Sequence, residues 1–136
     1  MAHTHVQYLA DTRYRTTVKY VGNAVANTNV NSLDVSILQG WQTGGIVNIA
    51  KIFWKTSGPS GGVDLIWDAT SNVIAFICEG TGGTYGFMPG QPSISNNAAA
   101  ANLTGDVLIT NASATFTLVV EYHKVPLASG LGWSVV

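Results

Sequence analysis

Few residues of this chain could carry out acid–base chemistry, and they are widely spaced. The 136 residues include seven Asp and Glu, three His and one Cys. Asp64 and Asp68 share one face of a predicted strand, but four residues at strand rise separate their Cα atoms by ~13 Å, more than the usual catalytic distance. We interpret Asp34, Asp64 and Asp68 as polar positions on a solvated or subunit-facing side, with Asp68 also bracing the turn that follows it.

The histidines and the cysteine do not form a metal-binding pattern. His3 and His5 share one face of an extended segment, and His123 lies beside Glu121. Zinc sites use Cys pairs or His at helical spacing, and neither occurs here. We predict no metal site and no cofactor, and we interpret Cys78, within an apolar run, as a small buried hydrophobe.

The glycines at 80, 82, 83 and 86 do not form a nucleotide-binding loop. Tyr85 occupies a position where a dinucleotide fingerprint needs Gly, and neither a Gly-Lys-Ser/Thr motif nor a helix follows. The chain also lacks a Gly-x-Ser-x-Gly elbow. Because no nucleophile, base and oxyanion stabiliser can be assembled from these residues, we predict that the protein is not an enzyme.

Aromatic residues offer a different kind of site. The chain has four Trp and five Tyr, and aromatic faces stack on sugars. Trp67 points inward by alternation, whereas Trp41, between two glycines, is the Trp that we expect to be most exposed. A carbohydrate-binding module that uses Trp41 and Tyr85 is therefore an alternative function.

The charge excludes several partners. Only 10% of the residues are charged, and the formal net charge is −1. Six scattered cations provide no basic stripe for nucleic acid and no polybasic patch for a membrane. No apolar run approaches the ~20 residues of a membrane span, and the N-terminus does not resemble a signal peptide. We expect neither nucleic acid nor a membrane as a partner, and synthesis in a reducing cytoplasm.

The composition and the period-2 patterns predict an all-β fold. Val, Ile and Thr number 15, 9 and 14, whereas Glu, Lys, Arg and Gln total 12, and β-branched residues suit a pleated surface. Alternation at 33–37, 63–68 and 116–123 and apolar runs at 46–55 and 73–79 predict strands, the last two central or covered on both faces. Shorter candidates are 16–21, 84–88 and 106–110, and 98–102 is a marginal helical turn. About eight strands with short turns predict an antiparallel β-sandwich or barrel, with 63–68 and 73–79 forming a hairpin.

The two ends differ from this body, so we divide the chain into an arm at 1–15, a sandwich at 16–127 and a tail at 128–136. The arm carries both Arg residues and shows little alternation, which suggests that it lies on a neighbouring molecule or is loose. The tail ends on apolar groups, and we expect it to dock on its own domain or on another subunit.

The low charge also favours association. Gly, Asn, Ser and Thr make up 49 of the 136 residues and must cover most of the exterior. A surface with few ions is prone to association, and obligate interfaces are poor in charge at their centre. This composition fits a subunit that is buried in an assembly.

Four segments resemble a known family. Residues 61–70 (GGVDLIWDAT), 11–23 (DTRYRTTVKYVGN), 103–110 (LTGDVLIT) and 114–124 (ATFTLVVEYHK) are similar to small virion structural proteins of tailed bacteriophages, notably cyanobacterial and marine phages. The resemblance implies a jelly-roll β-sandwich placed on the virion, in some cases as a capsid cement or decoration subunit. It brings no catalytic residues, and the tail from Val125 departs from it.

From the residues and the resemblance together we expect a capsid decoration or cement subunit on the virion surface, synthesised in the cytoplasm of a host bacterium. Its expected partners are the major capsid protein and itself, as a homotrimer. The predicted contact residues are Arg13 and Arg15 in the arm and Trp133, Val135 and Val136 in the tail. The alternatives are a tail, head-fibre or baseplate module and the carbohydrate-binding module.

Overall fold

The residues that the structure describes form nine β-strands. The computed structural model describes residues 5–23, 26–42, 44–57, 62–97, 104–111, 115–125 and 133. The strands are β1 (His5–Asp11), β2 (Arg15–Asn23), β3 (Asn27–Leu33), β4 (Val47–Ser57), β5 (Gly62–Trp67), β6 (Val73–Glu79), β7 (Gly82–Tyr85), β8 (Val107–Asn111) and β9 (Thr115–Lys124). Among these described residues there is no helix that combines the length and the apolar character needed to cross a membrane.

The strand order is that of a jelly roll. One sheet has the order β1-β2-β9-β4-β7 and the other β3-β8-β5-β6. The antiparallel pairs β2–β9, β3–β8, β4–β7 and β5–β6 are those of one long hairpin that runs from β2 to β9. The pairs β4–β9 and β5–β8 join the layers of this hairpin when it is rolled up. The predicted all-β, jelly-roll antiparallel sandwich is thus confirmed, and β1 is added at one edge.

Alternation places the core between the sheets. In β9 the side chains of Phe116, Leu118, Val120 and Tyr122 are buried, and the residues between them are more exposed. Trp67 and Cys78 lie in the same core from the opposite sheet, as predicted. The β5–β6 hairpin is also confirmed, with Trp67 opposite Val73.

The predicted strand at 33–37 is wrong beyond its first residue. Strand β3 ends at Leu33, and Val35–Ile37 form a 3-10 turn. The Asp34 carboxylate caps this turn by accepting a hydrogen bond from the Ser36 N–H at 3.0 Å. Leu33 and Val35 are buried but Ile37 is exposed. The apolar alternation in the sequence thus extends past the end of the strand, where it no longer indicates strand structure.

Two further expectations need correction. Residues 5–11 of the expected arm form strand β1, which pairs with β2 at the edge of the five-stranded sheet. Strand β6 was expected to be central or covered on both faces, but it lies at the edge of the four-stranded sheet, and Ile74 and Ile77 are exposed on it. The helical turn considered at 98–102 lies outside the described residues.

Candidate interaction surfaces

The two arginines of the predicted contact set lie at the turn between β1 and β2. The Arg13 guanidinium lies over the Tyr14 ring, 5.4 Å from its centroid. Arg15 begins β2, is 56% exposed and lies 3.8 Å from the Glu121 carboxylate. Both side chains are exposed, and an exposed ion pair in water is worth little by itself.

Lys124 is a buried cation at one end of the sandwich. It continues the inward alternation of β9, so its side chain is only 1% exposed. The ammonium donates to Asp11 Oδ1 at 2.7 Å and to the carbonyl oxygens of Thr12 and Gln39 at 2.5 and 2.7 Å. All three of its protons therefore have acceptors, which is the condition for a tolerable buried charge.

Asp11 is the charged partner of Lys124. Burial by itself would raise the pKa of this carboxyl group. Hydrogen bonds from Lys124, from the Gln39 N–H at 2.7 Å and from the Thr16 hydroxyl at 2.9 Å outweigh burial and lower the pKa. The ion pair of Asp11 and Lys124 therefore links β1, β9 and the segment after the 3-10 turn.

Trp133 completes this end of the molecule. The ring is buried, its Nε1 donates to the Ile46 carbonyl oxygen at 2.8 Å, and it forms a β-bridge with Trp41. Lys124 Nζ lies 5.1 Å from the centroid of its ring. The predicted contact residue Trp133 thus docks on its own domain, while Val135 and Val136 lie outside the described residues.

The outer face of the five-stranded sheet is cationic. Alternation places Arg15 and Lys19 of β2 and Lys51 and Lys55 of β4 on this side, together with Glu121 of β9. Among the described residues, Lys19 and Lys55 have no ion-pair partner, and Lys51 is placed 5.4 Å from the centroid of the Phe87 ring. We call this surface, which includes the exposed Phe53, the cationic face.

Two open depressions lie beside Phe53 and Lys55 on the cationic face. The first, of about 530 Å³, is lined by Val21, Gly22, Phe116 and Thr117 among others. The second, of about 460 Å³, lies on the other side of β4 against β7. Both depressions are lined by Phe53 and Lys55. The first depression is mainly apolar and the second is lined by threonines as well, and both lie next to the Lys55 ammonium.

The outer face of the four-stranded sheet has the opposite character. The four strands contain Asp64 and Glu79 and no Lys or Arg. Ile77 pairs with Asp64 across β5 and β6, and Ile74 pairs with Ile66. Ile74 is 53% and Ile77 47% exposed. We call the exposed surface formed by Asp64, Ile74, Ile77 and Glu79 the acidic face.

The carboxylates of the acidic face have no counter-ion in the part of the chain that the structure describes. Among the described residues, no hydrogen bond or ion pair reaches the side chain of Asp64 or Glu79. Burial and the nearby charge of Glu79 raise the pKa of Asp64. The fold therefore holds two like charges close to one another beside exposed isoleucines.

The remaining candidates for chemistry are accounted for by local structure. The Asp68 carboxylate accepts a hydrogen bond from the Thr104 hydroxyl at 2.8 Å. It therefore binds a distant segment of the chain and not the turn after Asp68 that we expected it to brace. His123 Nε2 and Glu121 Oε2 are 3.1 Å apart.

Burial raises the pKa of the Cys78 thiol to about 12, so the thiol is not a nucleophile at neutral pH. Over the part of the chain that the structure describes, no three His, Cys, Asp or Glu side chains are grouped as metal ligands.

Trp41 and Tyr85 are partly buried and bind different segments of the protein. Trp41, which we expected to be the most exposed Trp, is half-buried. Its Nε1 donates to the Gly45 carbonyl oxygen at 3.3 Å. The Tyr85 hydroxyl donates to the Pro92 carbonyl oxygen at 2.8 Å, and its ring packs against Phe76 with centroids 5.6 Å apart. The polar atoms of both side chains thus bind within the protein.

Neither sheet face is apparent from the sequence pattern. The prediction of six scattered cations is wrong, because the register of β2, β4 and β9 gathers four of them on one surface. Comparisons with protein-family models, curated proteins and solved structures find no match to this chain. Any inference about function therefore depends on the fold and on these surfaces.

Proposed function

We propose that the protein is a bacteriophage virion structural protein, a decoration or cement subunit that binds the outside of an icosahedral capsid. The observation that carries this proposal is the acidic face, where the exposed Ile74 and Ile77 lie beside carboxylates that have no ion-pair partner among the described residues. Isolated exposed apolar residues are common, but a group of them on one sheet face is typical of an interaction site. The jelly roll is also an architecture that recurs in viral capsid proteins.

In this proposal the protein stabilises the shell by binding across neighbouring capsid proteins. A ligand that binds only the assembled state adds its binding free energy to the stability of that state. Arg13 and Arg15 would pair with carboxylates of the major capsid protein, since a guanidinium binds a carboxylate through two parallel hydrogen bonds. Self-association, expected as a homotrimer, would multiply such contacts.

Cryo-electron microscopy of the purified phage particle tests the proposal. We expect density for the nine-stranded sandwich on the outer surface of the shell, with Arg13 and Arg15 at the contact. An Arg13→Ala/Arg15→Ala variant should show reduced occupancy, whereas Ile37→Ala, at an exposed position in the 3-10 turn, should show normal occupancy. Absence of the protein from the particle would refute the proposal, and density on the tail, a head fibre or the baseplate would replace the capsid role with that alternative.

The carbohydrate-binding alternative has less support from the side chains. It depends on Trp41 and Tyr85, whose polar atoms are bound to the Gly45 and Pro92 carbonyl oxygens. A glycan array on the purified protein tests it. Selective binding that is lost in Trp41→Ala would favour it over the structural role.

A further inference from the structure

We infer that copies of this chain associate head to tail, with the acidic face of one copy packed on the cationic face of the next. This inference deepens the proposed function, on which it rests for the expectation that the protein acts as an oligomer. It adds which surfaces meet and which residues pair. The partner is a second copy because the chain itself carries both complementary surfaces.

Charge is the first observation that supports this contact. The cationic face carries Arg15, Lys19, Lys51 and Lys55 against a single carboxylate, that of Glu121. The acidic face carries Asp64 and Glu79, and its four strands contain no Lys or Arg. Complementary potentials direct two surfaces together and disfavour incorrect pairings.

The distribution of apolar groups is the second observation. On the acidic face, Ile77 lies next to Asp64 across the strand pair, so an apolar side chain and a carboxylate project together. On the cationic face, depressions of about 530 and 460 Å³ lie beside Phe53 and the Lys55 ammonium. Ile77 placed in such a depression would bring the carboxylates on either side of it, those of Asp64 and Glu79, towards Lys55.

A two-fold contact through either face is disfavoured by the same charges. Two acidic faces would bring together the unpaired carboxylates of Asp64 and Glu79, and two cationic faces would bring together Lys51 and Lys55. Like charges at an interface cost several kcal/mol. The contact is therefore heterologous, in which one surface patch meets a different one.

A heterologous contact has a consequence for assembly. Repeated contacts of this kind form a ring when the rotation from one copy to the next adds up to a full turn. Otherwise they continue as an open stack. A cyclic trimer is built from contacts of this type, whereas a two-fold dimer is not. Because the two faces lie on opposite sides of the sandwich, the contact favours an open stack of copies over a closed trimer, and it excludes an isologous dimer as the basic unit.

Charge-reversal variants of the purified full-length protein test the inference by sedimentation velocity over a concentration series up to about 100 µM. We expect the wild type to associate and Lys55→Glu and Glu79→Lys each to weaken association by about tenfold or more, a change of about 1.4 kcal/mol. The double variant Lys55→Glu/Glu79→Lys should restore association, as should an equimolar mixture of the two single variants. Ile77→Ser should also weaken association without any change in charge.

Folding is verified by circular dichroism and thermal unfolding, which should be unchanged because these side chains are exposed. A monomeric wild type would overturn the inference. So would an association that Glu79→Lys strengthens and Lys55→Glu leaves unchanged, because this pattern identifies a two-fold contact through the acidic face. These measurements use no virus, so the inference and the proposed place on the particle fail independently.

Discussion

Two places in the molecule are opposite exceptions to the rule that apolar residues face inward and charged residues face outward. One is Lys124, and the other is the pair Ile74 and Ile77. Lys124 takes an inward position of β9, and the chain surrounds it with three acceptor oxygens and the Trp133 ring. Ile74 and Ile77 face outward on β6, and half of each side chain remains exposed. The first exception is compensated within the chain, whereas the second would be compensated by another molecule.

This difference separates what stabilises the fold from what is available for function. A buried cation with its acceptors is a structural feature, because removing it leaves those acceptors without a donor. An exposed apolar group beside an unpaired carboxylate contributes little to folding and can be satisfied at an interface. Substitutions at the two places should therefore change different measurements.

The largest effect on stability is expected for Lys124→Met. The substitution leaves the Asp11 carboxylate and the carbonyl oxygens of Thr12 and Gln39 without their shared donor, and breaking a buried ion pair costs about 3–5 kcal/mol. Urea unfolding of dilute protein, followed by Trp fluorescence, measures this loss. Lys55→Met, the same change at an exposed position, should stay within about 0.5 kcal/mol of the wild type. Equal stability of the two variants would contradict the assigned role of Lys124.

Trp133→Ala should destabilise the protein by about 3 kcal/mol. It removes a buried ring, the hydrogen bond to Ile46 and the contact with Lys124. Phe87→Ala is the matched control, because Phe87 is a large aromatic residue that is 56% exposed. The same urea titration measures both, and a loss in the control as large as in Trp133→Ala would refute the docking of Trp133 on its own domain.

Asp11→Asn should lower stability at neutral pH by about 2 kcal/mol, the scale of hydrogen bonds to a charged group. The folded pKa of Asp11 lies below its usual value of 3.8, so the carboxylate stabilises the fold above that pH. This contribution is lost as the pH falls through the folded pKa. Unfolding free energies from pH 7 to pH 2 should show the difference between wild type and variant closing below about pH 4. A difference that is constant with pH would rule out the ion pair.

The smallest effect, with the opposite sign, is expected for Asp64→Asn on the acidic face. The folded pKa of Asp64 is raised, so its ionised form opposes folding at neutral pH. We expect a gain of about 0.5 kcal/mol at pH 7 that vanishes at low pH. Asp68→Asn is the control and should give no gain, because that carboxylate accepts a hydrogen bond from Thr104. A loss of stability in Asp64→Asn would mean that this carboxylate has a stabilising partner.

The sequence predicted the strands better than their arrangement. Alternation identified β5 and β9 closely because their inward and outward residues differ in polarity. It failed after Leu33, where the side chain of Asp34 favours a turn that the apolar pattern does not indicate. Strand β1 was missed because, in a two-sided edge strand, polar and apolar residues do not separate cleanly. The order of the strands depends on pairing over long distances, which single-chain periodicity does not record.

The candidate surfaces were less predictable than the fold. The low charge of the chain indicated association, but the cationic face arises only when the register aligns β2, β4 and β9. Lys124 lies one residue beyond the predicted alternation at 116–123, although its inward position follows from the same pattern that places Tyr122 inside. A sequence pattern gives the direction of a side chain, but only the paired strands show which charges become neighbours.

A reconstruction of the intact phage particle tests the central claim, that another molecule covers the outer face of β5 and β6. The account predicts a jelly roll bound to the shell in which Ile74 and Ile77 are buried against a neighbouring subunit. Particles that lack the protein, or that carry it with these two isoleucines open to solvent, would contradict the account.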